Sequence, residues 1–466
     1  LNDLKKWLLV VGARPNFMKV APLIRAIDKH NSARHSSPVA VRYSLVHTGQ
    51  HYDFNMSDAF FKDLDLPKPN LHLGVGSGNH GEQTGKVLIE FEKVLLAEKP
   101  DLVIVVGDVN STLACALAAV KLHIPVAHVE SGLRSFDRRM PEEINRLLTD
   151  AISDYLFTPS PEGDENLLKE GIPGEKIFLV GDIMVDSLLF HLEKAKKTDI
   201  LARLSLNADF HTPRALGFSL PVADPVEDPV EDPELRRREL RRRELRRRER
   251  SRRAPCSELP ASPAPASGSG FSRSVLRAPC SLLQYALLTL HRPANVDNRE
   301  SFGRIIQGLL HVAARMPVIF PTHPRTLKQI KALNLDPAFE FHDSWNMKPE
   351  QYYEDGVLKQ KIHCFEPLGY LDFLNVMAHA TLVLTDSGGI QEETTVLDVP
   401  CITLRDTTER PITLTEGTNV LVHNDPRKIV AEVEKVLGGN RRRSRCPSIW
   451  DGHTAERIVA ILASNT

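Results

Sequence analysis

Residues 102–129 read LVIVVGDVNSTLACALAAVKLHIPVAHV, and the fold turns on this stretch. Leu102–Val106 is apolar at every position, Pro125–Val129 is a second short apolar run, and Ser111–His123 between them has the length and Ala/Leu richness of a crossover helix. Strands apolar on both faces belong to a parallel sheet covered by helices on either side. Working outward, the same alternation runs through Trp7–Val11, Tyr43–Val46, Tyr155–Phe157 and Ile177–Val180, which predicts a doubly wound α/β domain over residues 1–185. It resumes near Tyr285 with Ala286–Leu290, Val318–Phe320, Ile362–Phe365, Leu382–Thr385, Cys401–Leu404 and Val420–Val422, a second domain over residues 285–445. A C-terminal helix near residues 450–466 is a candidate to pack back on the first domain. Two Rossmann-like domains facing one another form a cleft at the carboxyl ends of their strands, where open α/β sheets take ligands.

Between the domains, residues 207–284 change character. Asp-Pro-Val-Glu units repeat from Asp224 to Pro233, a Glu-Leu-Arg-Arg-Arg unit repeats from Glu234 to Glu249, and Pro260–Gly270 is rich in Pro, Ala, Ser and Gly. A five-residue period precesses around a helix, so Leu235, Leu240 and Leu245 make no stripe for a core. The segment holds 15 Lys and Arg against 11 Asp and Glu, which leaves 44 against 49 for the rest of the chain. The folded part is therefore mildly acidic, and the net charge of −1 hides the division. Because the Arg run interleaves Glu and lacks aromatics for base stacking, it reads as a disordered, low-complexity surface insertion rather than a nucleic-acid or membrane patch.

Hydrophobic residues make up 42% and charged residues 26% of 466 residues, which excludes global disorder and suits two cores. No run approaches the length of a membrane span, and no secretory order of charged, apolar and small residues opens the chain, so the cytoplasm is the expected compartment. The six cysteines are far apart and show no CxxC pairing. They read as reduced thiols, and no metal-ligand constellation stands out.

The first strand-to-helix turn, Val10–Lys19, offers Gly12, a helix N-terminus with free N–H groups for an anion, and the cations Arg14 and Lys19. It matches neither GxGxxG nor the P-loop. In the second domain, Thr385-Asp386-Ser387-Gly388-Gly389 opens a helix that can take a diphosphate on its backbone amides, with Glu393 a turn further in and suited to ribose hydroxyls. A polar loop, Arg405–Pro411, follows the next strand. Three carboxylates sit at or just beyond the ends of first-domain strands: Asp108, Glu130 and Glu142. Each alone reads as a helix cap, whereas three opening on one cleft read as acid/base groups whose pKa values are pushed apart.

Nine motifs in this order, GARPNFMK, HTGQHYD, HGEQTG, GDVNSTLA, HVESGLRS, MPEEINR, LTLHRPANVDN, DSGGIQEE and RDTTERP, resemble the non-hydrolysing UDP-N-acetylglucosamine 2-epimerases. The match covers nearly everything outside residues 207–284. The resemblance implies a fold like that of the two-domain (GT-B) glycosyltransferases, a site between the domains, no metal or nicotinamide cofactor, and a UDP-sugar substrate; a homodimer is the expected assembly. It implies acid/base roles for Asp108, Glu130 and Glu142, a place for His291 beside the leaving diphosphate, and UDP contacts from Arg14, Lys19, Phe373, Ser387, Gly388, Gly389, Glu393 and Arg410. The reaction implied is elimination of UDP to a 2-acetamidoglucal and re-addition, supplying N-acetylmannosamine-type precursors for surface polysaccharide. Epimerases of UDP-2,3-diacetamido-2,3-dideoxyglucuronate share several of these blocks, and a glycosyltransferase or a catalytically silent scaffold are the readings from other classes. Ala294 stands where many members carry Glu. Asp53 replaces a Gln with which some bacterial members hold a second, activating UDP-sugar.

Overall fold

The computed structural model describes residues 3–32, 39–49, 64–206 and 284–465. The expected insertion lies, apart from Gln284, outside these residues, as do Gln50 and Asp53 of the HTGQHYD motif.

Seven strands build the first sheet: β1 (Asp3–Val11), β2 (Val39–His47), β3 (Leu71–His72), β4 (Leu102–Val106), β5 (Val126–Val129), β6 (Tyr155–Thr158) and β7 (Ile177–Leu179). Their order is β3-β2-β1-β4-β5-β6-β7, and every pairing is parallel. The helices between them are α1 (Arg14–Ser32), α2 (His80–Glu98), α3 (Asn110–Lys121), α4 (Pro141–Ile152), α5 (Pro161–Lys169) and α6 (Ile183–Ala195). Alternation along the strands explains the double winding. Trp7, Leu9, Val11, Leu102, Ile104 and Val106 enter one apolar layer, while Leu8, Val10, Val103 and Val105 enter the other. A strand buried on both faces must be apolar throughout, which is why residues 102–106 carry no polar position.

The second sheet repeats the plan with β8 (Ala286–Thr289), β9 (Val318–Pro321), β10 (Phe339–Phe341), a separate two-stranded hairpin of β11 (Tyr353–Glu354) and β12 (Val357–Leu358), then β13 (Ile362–Phe365), β14 (Leu382–Thr385), β15 (Cys401–Thr403) and β16 (Asn419–Leu421). Its order is β10-β13-β9-β8-β14-β15-β16. The main helices here are α7 (Arg299–Ala313), α8 (Pro324–Ala332), α9 (Tyr370–His379), α10 (Gly388–Leu397), α11 (Pro426–Leu437) and α12 (Thr454–Asn465). The sequence reading placed six of the second sheet's seven strands to within a residue or two, but not β10, whose Phe-Glu-Phe is broken by a charge, nor the two-residue β3 of the first sheet.

One apolar cluster runs unbroken from Trp7 and Leu9 of the first sheet through Ile183 and Leu188 of α6 and Leu374 and Met377 of α9 to Leu287 and Val383 of the second. Both sheets thus share a core, and α6 packs on α9 and α10. The C-terminal helix α12 lies on α1, where Lys29 meets Glu456 at 2.6 Å. Buried Asp186 of α6 accepts from the backbone of Thr454 (3.1 Å) and Ala455 (2.8 Å), so a side chain distant in sequence satisfies the open N–H groups of the helix start. Among the described residues, no helix is long and apolar enough to cross a membrane.

Candidate active site

In each sheet the strand order reverses beside the first strand, at β1/β4 and at β8/β14. The crevice outside the carboxyl ends of such a strand pair is the natural ligand site.

At the first reversal, Asn16 Oδ1 accepts from the backbone of Gly12 (3.1 Å) and Ala13 (2.9 Å), and its amide donates to Val106 O at 2.9 Å. The sequence reading left these turn amides open to an anion. The fold spends two of them on tying β1 to β4, so the cation Lys19 is what this turn presents. Lys19 is buried and its ammonium is bonded to Glu130 at the end of β5. Gly107 makes this possible, since a Cβ there would stand 2.9 Å from Lys19 Nζ, and its φ of +68° suits glycine. Beneath them His128 spans Asp150 (2.6 Å) and Gly107 O (2.8 Å), and Asp150 also takes Arg134 at 2.7 Å. Removing one partner from a buried network of this kind costs roughly 3–5 kcal/mol.

Asp108, with its side chain one-third exposed, is held by Arg146 at 2.5 Å. Burial opposes its ionisation, but the charges of Arg146, Lys19 and Arg410 outweigh that and hold the carboxyl below the usual range. Glu142, in the first turn of α4, is partly exposed and close enough to Arg292 for their charges to interact. Its neighbour Glu143 is buried and accepts from the backbone of Ser135 and Phe136, both at 2.9 Å. The two adjacent acids therefore differ: Glu143 braces the HVESGLRS loop, while Glu142 stays partly exposed near Arg292.

At the second reversal, buried Asp386 accepts from the backbone N–H groups of His291 (3.1 Å) and Arg292 (2.9 Å) and from the Asn295 amide (3.1 Å). It also meets His291 Nδ1 at 3.1 Å, which leaves Nε2 of this half-exposed ring directed elsewhere. Ser387 precedes α10, whose first-turn N–H groups have no intrahelical acceptor. Gly389 is open, with nothing within 4 Å of a Cβ built on it, whereas a Cβ on Gly388 would stand 2.5 Å from Arg410 Nη1.

Arg410 joins the two halves. It reaches Glu130 of the first sheet at 2.6 Å and Glu392 of α10 at 2.5 Å. Glu409 beside it is chelated by Arg405 through two 2.8 Å bonds and lies 3.6 Å from Arg292 and 3.8 Å from Arg146. Burial opposes ionisation of Glu409, but these arginines drive its carboxyl far below the usual range.

A family model described as UDP-N-acetylglucosamine 2-epimerase matches residues 34–211 and 270–463. The UDP-N-acetylglucosamine 2-epimerase of Methanocaldococcus jannaschii is 40% identical over 98% of each chain. The chain belongs to the UDP-N-acetylglucosamine 2-epimerase family. The crystal structure of the M. jannaschii enzyme in complex with UDP-GlcNAc and UDP superposes with a TM-score of 0.71 at 39% identity, covering 98% of this chain and 99% of that one. The UDP-2,3-diacetamido-2,3-dideoxy-D-glucuronate 2-epimerase of Pseudomonas aeruginosa is 34% identical over 98% of this chain and 99% of its own. Membership makes the protein an isomerase of the non-hydrolysing type with a GT-B-like pair of domains.

Against that family frame, Lys19, Asp108, Glu130 and Arg410 form one connected cluster of charges. His291, Ser387, Gly388 and Gly389 gather at the other sheet's reversal, and Glu142 stands beside Arg292. Phe373 lies partly buried on α9 against the shared core. Glu393 is buried and faces the Tyr370 hydroxyl, with burial and the charge of Asp182 pushing its carboxyl up to about 8. Arg14 opens α1, and its side chain lies outside the described set. Two further buried acids beside this cluster have raised values. Asp182, the N-cap of α6, is raised to about 7 by burial and by Glu130, and burial pushes Glu392 well up despite Arg410. Asp182, Asp386, Glu392, Glu409 and Arg146 escaped the sequence reading because their importance lies in partners up to hundreds of residues away.

Proposed function

We propose that the chain interconverts UDP-N-acetylglucosamine and UDP-N-acetylmannosamine. A carboxylate removes the C2 proton as the C1–O bond breaks and UDP leaves with the electron pair. A proton is then delivered to the opposite face of C2, and the UDP oxygen re-forms the bond at C1. The observation that carries this reading is the cluster in which Lys19 and Arg410, from opposite halves, both grip Glu130. A diphosphate is the natural competitor for those two cations. On binding it would draw them off and leave Glu130 free for proton transfer beside the ionised Asp108. Glu142 supplies the third carboxyl, His291 and the N-terminus of α10 at Ser387–Gly389 stabilise the departing diphosphate, and Phe373, Glu393 and Arg14 complete the UDP site.

Incubation with UDP-N-acetylglucosamine in deuterated water, followed by NMR, tests the mechanism. Deuterium should enter C2 of both the manno product and the returning gluco substrate with the UDP linkage intact. Inversion with full retention of the original hydrogen would overturn it. A second substrate, the UDP-diacetamido-glucuronate, is favoured by the P. aeruginosa relative, and turnover of that sugar alone would replace the first choice. The expected homodimer is checked by sedimentation equilibrium of the full chain.

A further inference from the structure

The second sheet carries, at its outer strand, a group of side chains that the epimerase reading does not use. Glu340 of β10 and His363 of β13 are register partners on parallel strands, and His342 follows Glu340 by two residues, with its backbone N–H continuing the ladder to Cys364 O at 2.9 Å. Positions i and i+2 on one strand, and the partner position on the next, project from the same face of a sheet. The backbone thus delivers two imidazoles and a carboxylate to one point although they are 21 residues apart at the closest crossing. Their ligating atoms all lie within 4.8 Å of one another. The sequence reading found no metal-ligand constellation because neither half of this one has a recognisable spacing.

We propose that Glu340, His342 and His363 form a divalent transition-metal site. His342 Nε2 and His363 Nδ1 are 3.0 Å apart, and His363 Nδ1 is 4.0 Å from Glu340 Oε2. Ligand atoms each about 2.0–2.2 Å from a zinc-sized ion stand roughly 3–3.6 Å from one another, so the imidazoles are already at ligand spacing, while Glu340, within 4.8 Å of both ring nitrogens, must move inward to join them. Two imidazoles and one carboxylate suit Zn²⁺, Co²⁺ or Ni²⁺ rather than Ca²⁺ or Mg²⁺. The surroundings are rigid. Phe365 stacks on His342 at 4.8 Å between centroids, Trp345 stacks on Phe365 at 4.3 Å, and the Tyr352 ring meets His363 edge-on at 4.9 Å. Burial favours the neutral form at both rings, which is the form that binds metal.

One group competes. The Lys359 ammonium sits 3.0 Å from Glu340 Oε1 and 3.3 Å from Oε2, so a metal taking Oε2 would have to draw that oxygen away from the cation. The site also bears on the linker between the sheets. The segment between β10 and β13 holds that linker through Met347 N to Arg203 O (2.7 Å), Ser205 Oγ to Met347 O (2.6 Å) and Tyr352 OH to Leu204 O (2.9 Å). An ion at Glu340, His342 and His363 would fasten this brace just before residue 207. The inference stands on these residues alone and does not depend on the substrate or mechanism proposed above.

The test titrates Co²⁺, and then Zn²⁺ in competition, into the chelator-stripped full-length chain, reading the visible Co²⁺ bands and the melting temperature. One Co²⁺ per chain is expected to give a spectrum of mixed nitrogen and oxygen ligation and to raise the melting temperature. His342→Gln and Glu340→Gln should weaken binding roughly tenfold or more, Lys359→Met should tighten it, and the exposed-surface control His453→Gln should leave it unchanged. If buried His363→Gln fails to fold, the half-buried His342 and the opposite-signed Lys359 variant still decide. No Co²⁺ spectrum in the wild type, or the same affinity in His342→Gln and Glu340→Gln, would overturn the proposal and leave a His–His hydrogen bond beside an ordinary ion pair.

Discussion

The two sheets both reverse strand order beside their first strand yet arm those reversal points with opposite chemistry. Beside β1/β4 stand titratable side chains: buried Lys19 bonded to Glu130, and Asp108 held by Arg146 within reach of the Lys19 charge. Beside β8/β14 the main polar device is backbone: Asp386 gathers N–H groups and an amide so that His291 and the start of α10 hold their shape. On the proposed mechanism the first half exchanges protons and the second holds the anion, and Arg410 belongs to the second half but is paired with the first. A fold duplicated in outline can thus divide a reaction between its copies, because the topology supplies the place and the side chains supply the chemistry.

The sharpest way to break this division is to neutralise the first half. Asp108→Asn, Glu130→Gln and Glu142→Gln should each lower turnover about 10²-fold or more, while Asp108→Asn and Glu142→Gln leave UDP affinity nearly unchanged. Steady-state turnover and UDP calorimetry on each variant would check it. Near-normal turnover in all three would mean that the carboxylates only hold the structure together.

Much of this was legible in the sequence and some was not, for reasons that can be named. Strands such as residues 102–106 and 382–385 announce themselves because burial on both faces leaves no polar position. The loops after them are legible because glycine, hydroxyl and carboxylate cluster where strands end. Asp386 was quoted in its motif but could not be given a role, since its partners His291, Arg292 and Asn295 lie more than 90 residues away. Arg146 reads as one more charge on an amphipathic helix until the fold brings it to Asp108 and Glu409. The sequence also suggested that the three picked carboxylates push one another's values apart. In the fold Asp108 is held down by Arg146, Lys19 and Arg410, and Asp182, Glu392 and Glu393 are raised by burial where no periodicity marks them.

The joint between the halves gives the next largest effect. Arg410→Lys keeps the charge but loses the planar fork that serves Glu130 and Glu392 together, and with it bidentate reach to a phosphate. UDP affinity should fall roughly tenfold, seen by calorimetry. An unchanged affinity would detach Arg410 from the diphosphate and leave it a brace between domains.

Two adjacent glycines separate shape from binding within the second half. Gly388→Ala drives a Cβ to 2.5 Å from Arg410 Nη1, and that guanidinium has little room to yield while three carboxylates hold it. A loss of roughly 1–3 kcal/mol by denaturant unfolding is expected. Gly389→Ala meets nothing within 4 Å and should leave stability intact, so any loss of UDP affinity there reports a ligand passing close to the backbone. Equal destabilisation by both would show that the turn, and not Arg410, is what tolerates no side chain.

The smallest effect expected is a pH dependence of stability set by the acids around the joint. Burial and neighbouring charge raise Asp182 to about 7 and Glu393 to about 8, and Glu392 is raised as well. An acid whose folded value is raised binds more protons folded than unfolded, so its contribution is complete below the ordinary carboxylate range and is lost as pH climbs to the folded value. Buried His47, His191 and His363, lowered to about 4, act in the opposite sense, but only up to the ordinary histidine value near 6.5. From neutral to about pH 8 the carboxyls therefore act alone, and the melting temperature should fall on the order of a degree or two per pH unit. Glu393→Gln keeps the shape and removes the proton, so its slope should be shallower than that of the wild type. The wild-type slope retained in full by Glu393→Gln would mean that this carboxyl is already ionised in the folded protein, and that its contact with Tyr370 is made by a carboxylate accepting the phenol proton.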